Sequence, residues 1–194
     1  MDKVELTSEI RARYDASIIR ELTQAKVLAR RRFTGFEVFL LSGTGLRPYG
    51  YSLRYNYVPA RTTVLGALML RAKARDYREA GYTVEPYGDY TKRGRGNIAL
   101  LNKDDTHEAL VTRPSLTLKA LRMIATHLAE HAPEVTHIQV YVLHGDHDPH
   151  LLNAQTASGL PVTVSELPLS SVTKYGAKAE PSEMTAENEG AVAP

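Results

Sequence analysis

The sequence predicts an α/β fold: a single mixed-sheet domain flanked by helices, with an N-terminal helix and a disordered C-terminal tail. Three observations lead there. Two long segments, 62–80 and 116–131, repeat apolar residues at helical spacing and are bounded by helix stop and start signals. Short apolar runs around them have strand length and are separated by turn residues. From about Ser170 the composition changes to Ala, Glu, Lys, Pro and Ser, which bury too little apolar surface to order a chain. The 194 residues are 43% hydrophobic and 24% charged, enough for one core. The expected division is a helical segment at 1–34, an α/β domain at 35–169 and a tail at 170–194.

Residues 7–32 read as a helix. Thr7 or Ser8 serves as N-cap, and Ile10, Tyr14, Ile18, Leu22 and Leu28 trace an apolar stripe. Arg30, Arg31 and Arg32 then sit at the C-terminus, where cations suit the helix dipole. Residues 36–42 read as a strand, followed by a flexible break at Gly43-Thr44-Gly45. That break lacks the Gly-Lys-Ser/Thr ending of a phosphate-binding loop, so no nucleotide cofactor is implied. Leu65, Leu68, Met69, Ala72 and Tyr77 mark the apolar side of the helix at 62–80, which Gly81 ends. A strand at 82–87 precedes the basic, glycine-rich loop 88–96. Strands at 97–102 and 108–113 flank the turn Lys103-Asp104-Asp105. The helix at 116–131 starts after Pro114-Ser115. A central strand at 136–143, a short helix at 149–158 stopped by Gly159 and a last strand at 162–167 complete the order.

Residues 47–61 carry the strongest functional signal. Tyr49, Tyr51, Leu53, Tyr55 and Tyr57 fall at every second position, so an extended strand would line one face with them. Arg54 lies on the other face, and Arg47 and Arg61 lie at the ends. Bases stack on aromatic rings with about 1–3 kcal/mol each. The structural alternative is an inner sheet face with hydroxyls at the rim. Charge is also uneven. The net charge is +2, yet residues 44–96 hold ten Lys or Arg against four Asp or Glu, together with eight of the eleven tyrosines. Lys92, Arg93 and Arg95 belong to that block. A basic stretch interleaved with aromatics is what a nucleic-acid surface needs.

The order helix, three strands, helix, strand over 62–143 resembles the core of the PD-(D/E)XK nucleases, in their Holliday-junction-resolvase and restriction-endonuclease branch. The matching stretches are Gly66 in the first helix, Ala80-Gly81-Tyr82-Thr83-Val84, Arg95-Gly96-Asn97-Ile98-Ala99-Leu100 and Ala109-Leu110-Val111-Thr112-Arg113. The resemblance implies a DNA-processing scaffold. Where the family carries its metal-binding aspartate, glutamate and lysine, this chain has Asn97, Val111 and Arg113. An amide and an aliphatic side chain cannot hold the divalent cation that activates water. Asp89 and Glu108 are the acids near enough in sequence to substitute. A split β-α-β arrangement starting at the 36–42 strand accounts for the same order.

Residues 144–150 read His-Gly-Asp-His-Asp-Pro-His. His144, Asp146, His147 and His150 are ligand types that zinc or manganese prefers, which makes a divalent metal the alternative to no cofactor. The spacing matches no zinc-protease or metallo-β-lactamase pattern. The competing reading is a turn in which Asp148 caps a helix and Pro149 takes its first position.

The absence of cysteine removes disulfides and thiol chemistry. No apolar run reaches membrane-spanning length, and the N-terminus has no secretion-signal stretch, so the expected address is cytoplasmic. These features together predict a nucleic-acid-binding accessory of DNA processing, with DNA favoured over RNA and a homo-oligomer compatible. A metal-dependent nuclease or hydrolase using the 144–150 cluster is one alternative. An assembly protein whose tyrosine strand is a subunit edge is the other.

Overall fold

A computed structural model describes residues 4–51, 53–54, 56–57, 59–87 and 97–173. The basic loop expected at 88–96, with Asp89, Lys92, Arg93 and Arg95, lies outside the described residues, as do Tyr55 and the tail from 174 onward. Residues 170–173, expected in the disordered tail, instead belong to a short helix at Leu169–Thr173 whose Val172 is buried against Val64 and Leu65. The chain is a mixed α/β protein with two sheets.

The larger sheet holds β4 (Thr83–Pro86), β5 (Ile98–Lys103), β6 (Thr106–Thr112), β7 (His137–Leu143), β8 (Thr156–Ala157) and β9 (Leu160–Leu167) in the order β4-β5-β6-β7-β9-β8. β4, β5 and β6 form an antiparallel meander, whereas β7 and β9 run parallel to their neighbours β6 and β7. α4 (Arg61–Glu79) precedes β4, and α5 (Leu118–His131) makes the crossover from β6 to β7. The helix, three strands, helix, strand order expected for 62–143 is therefore present. Its two helices cover opposite faces of the sheet. Leu121, Ala125 and Leu128 of α5 pack with Ile98, Val111, Ile138 and Val140. Leu70 and Ala74 of α4 pack with Ala99, Leu101 and Leu110.

The smaller sheet comprises β1 (Val4–Leu6), β2 (Leu28–Phe33) and β3 (Phe36–Leu41), in the order β1-β3-β2 and antiparallel throughout. α1 (Thr7–Arg13) and α2 (Ala16–Gln24) lie between β1 and β2. Phe36, Val38 and Leu40 pack on Val64, Leu65, Leu68 and Met69 of α4, so one helix serves both sheets. Arg71 of α4 adds ion pairs to Glu5 at 3.5 Å and Glu9 at 2.7 Å, and Arg13 meets Glu5 at 3.2 Å.

Three expectations are corrected. The first is the single helix over 7–32. The chain breaks at Tyr14–Asp15 and ends α2 at Ala25, and Lys26 then adopts a left-handed conformation with φ 57°. Arg30, Arg31 and Arg32 thus lie on a strand. Arg, Ala and Leu favour helix locally, but pairing with β3 across Thr34–Gly35 wins. The second is the split β-α-β unit beginning at 36–42, since that strand pairs only with β1 and β2. The third is the short helix at 149–158, which is a 3₁₀ turn at Pro149–Leu151 followed by β8.

Candidate functional site

The tyrosine strand expected at 47–61 is corrected: no described residue between 47 and 60 belongs to a strand. Ser42 caps α3 (Gly43–Leu46) by accepting from the N–H groups of Thr44 and Gly45, while its hydroxyl donates to the Lys26 carbonyl. A 3₁₀ turn at Arg47–Tyr49 follows, and Gly50 closes it at φ 82°. That left-handed residue breaks the alternation on which a five-residue tyrosine face depended. The Tyr57 N–H then donates to the Arg54 carbonyl in a further turn.

The result is an anchored loop with mixed exposure. Tyr49 is 65% exposed and Tyr57 36%, with Arg47 and Arg54 also exposed and Tyr51 half-buried. Arg61 points inward instead. It opens α4, and its guanidinium lies 5.8 Å from the centre of the Phe36 ring. The loop stands beside the end of α2, because Ser42 reaches Lys26 and a side chain at Gly45 would strike the Val27 carbonyl.

Sequence reasoning placed the basic centre of the protein in 44–96 and overlooked the α2 side of the smaller sheet. Cross-strand partners share a face. Arg30 pairs with Phe39, Arg32 with Glu37 and Leu28 with Leu41, so these side chains stand opposite the α4-facing set of Ala29, Phe33 and Val38. On that face an open cleft of about 630 Å³ is lined by Arg11, Arg20, Thr23, Gln24 and Arg30 among others. Arg30 donates to Glu37 at 2.7 Å. That hydrogen bond holds the Glu37 carboxyl below the usual carboxylate range. Beside the cleft, Ile10, Tyr14, Ile18, Leu22, Leu28 and Phe39 line a smaller apolar groove of about 250 Å³. The turn Thr34–Gly35 between two strand-length runs was the signal that could have revealed this hairpin.

The positions at which the nuclease resemblance calls for metal ligands do other work. Asn97 sits at φ 68° just before β5. Its side chain occupies the space that a Cβ on Gly66 would need, so α4 crosses the sheet closely there. Thr112 donates to the Gly66 carbonyl at 2.9 Å and pins the same crossing. Val111 is fully buried on the α5 side. Arg113 is half-buried, and desolvation lowers its affinity for a proton. Glu108 lies three positions from Val111 along β6, where Gln139 donates to it at 3.1 Å. It does not join Asn97.

In the histidine segment Asp148 caps the turn by accepting from the His150 N–H at 3.0 Å, with Pro149 first in it. His144 and His147 both meet Glu166 of β9, at 3.2 and 3.5 Å. Asp146 and His150 are exposed. Among the described residues no group of three or more His, Asp or Glu is arranged to hold a metal ion. Glu166 was not anticipated, since its neighbours are brought to it only by the β7–β9 pairing.

No protein-family model matches this chain, and no curated protein or solved structure is significantly similar to it. Among the described residues no helix is long and apolar enough to cross a membrane.

Proposed function

We propose that the protein binds nucleic acid, as an accessory of DNA processing, through the face formed by α2, the β2–β3 hairpin and the adjoining 47–57 loop. The observation that carries this reading is the open cleft that Arg11, Arg20, Arg30, Thr23 and Gln24 line together with Tyr14, Ile19 and Phe39. Arginines supply phosphate contacts, and the polar side chains between them donate and accept hydrogen bonds. The nearby exposed pair Tyr49 and Tyr57, with Arg47 and Arg54, extends the surface with rings suited to stacking. The acids at the rim are partly committed: Glu5 and Glu9 to Arg13 and Arg71, and Glu37 to Arg30. The order of α4, β4–β6, α5 and β7 serves in this reading as scaffold, with Asn97 and Val111 packed against Gly66 and the α5-side core.

The test is an anisotropy titration of the full chain against labelled DNA and RNA over a salt series. Affinity should fall steeply with salt, and Arg11→Ala and Arg30→Ala should each reduce the slope of log K against log salt by about one. Absence of binding to any DNA or RNA at low salt refutes the reading.

A further inference from the structure

We infer that the nucleic acid is duplex DNA, with α2 seated in the major groove and the β2–β3 hairpin on the adjoining backbone. This rests on the nucleic-acid reading above and narrows it to one substrate. The first support is the order of elements: a helix, a short turn at Tyr14–Asp15 and a second helix, followed directly by a hairpin. In helix-turn-helix proteins the second helix enters the major groove while the first crosses the backbone.

The second support is the exposure of α2, which contributes no buried residue. At about 100° per residue, Ser17, Arg20 and Gln24 fall within an arc of about 60° on its surface. Ile18, Ile19 and Leu22 turn the other way, toward the apolar groove. The helix has 9 residues. Its length is about 13 Å, two to three turns, and with side chains an α-helix is about 10–12 Å across, which a major groove about 12 Å wide admits. Arginine pairs with the O6 and N7 edge of guanine and glutamine with the N6 and N7 edge of adenine, so Arg20 and Gln24 have the chemistry to read bases.

The third support is the hairpin. Arg30 and Arg32 stand on the same face of the sheet as the residues facing α2, one side chain toward the cleft and one further along the strand. Cations so placed beside an inserted helix meet the phosphates flanking the groove. The A-form major groove of duplex RNA is too deep and narrow for a helix to enter. The arrangement therefore discriminates DNA from RNA by shape.

The experiment compares the full chain on duplex DNA, on the same sequence as a single strand and on duplex RNA, after selecting preferred duplexes from a random pool. Variants are Arg20→Ala, Gln24→Ala and, as a remote control, Met123→Ala on α5, which is exposed. Circular dichroism checks that each is folded. Duplex DNA should bind best. Arg20→Ala and Gln24→Ala should each weaken the selected site about tenfold and relax preference at different base pairs, with Met123→Ala unchanged. Equal or tighter binding to single strands or duplex RNA overturns the duplex-DNA inference and leaves nucleic-acid binding standing. Duplex binding indifferent to both α2 variants overturns the role of α2. Binding to none of the three overturns this inference and the proposed function together.

Discussion

The six-stranded sheet is covered on both faces, by α5 on one and α4 on the other, whereas the three-stranded sheet is packed on one face by α4 and only thinly roofed by α2 on the other. The difference shows in single residues. Leu121 of α5 is fully buried, while Leu22 of α2 is 37% exposed and Ile18 44%. A residue buried on all sides is held by the fold and has nothing left to offer a ligand. A helix with no buried residue contributes little to stability and leaves its side chains in solvent. Both sheets thus keep a buried core against α4, and the exposed basic side chains gather on the α2 side of the smaller one, where the proposed function places recognition.

That division can be broken by experiment, starting where the effect is largest. Leu121→Ala should cost about 3 kcal/mol in urea unfolding, and Leu22→Ala about 1 kcal/mol or less. Equal costs would mean that α2 is as much a part of the core as α5. Arg71→Ala should cost about 2 kcal/mol, because it leaves Glu5 and Glu9 with reduced compensation in partly buried positions. It should also loosen the smaller sheet first, which hydrogen exchange at β1 and β3 would reveal.

Tyr77→Phe probes the α4 face of the larger sheet and should cost about 1 kcal/mol, the worth of its 3.2 Å hydrogen bond to Tyr141. Burial, then that hydrogen bond, raises the pKa of Tyr77. A group raised in the folded state favours folding below its unfolded pKa. Stability should thus decline as pH rises past about 10, where the unfolded tyrosine ionises, and Tyr77→Phe should flatten that decline. The smallest effect belongs to Glu37→Gln. Since its carboxyl is depressed by Arg30, the pair's stabilising contribution is present above the ordinary carboxylate pKa and is lost as pH falls through the folded value. The variant should abolish that acid-side dependence by removing the pair's small contribution at neutral pH, while stability at low pH stays unchanged. By releasing Arg30 it should strengthen nucleic-acid binding a few-fold, read from the same salt titration.

What the sequence by itself determined was the part of the fold whose signals are local. α4, α5 and strands β4 to β7 follow from apolar spacing, from Gly81 as a stop and from the Lys103-Asp104-Asp105 turn, all within a few residues of the element they define. The cap at Asp148 and Pro149 was legible for the same reason. The candidate site was far less so, and only its basic and aromatic composition could be read. Leu28–Phe33 became a strand because β3 lay ready to pair with it, a preference that helix-favouring Leu, Ala and Arg do not announce. Tyr49 and Tyr51 lost their strand alternation to a 3₁₀ turn and one left-handed glycine, Gly50. Arg11, Arg20 and Arg30 lie on α1, α2 and β2, and only the folding of α2 over the hairpin brought them around one cleft. Periodicity reports which side of an element is apolar. Which elements then meet is decided by burial over the whole chain, and the site is made of those meetings.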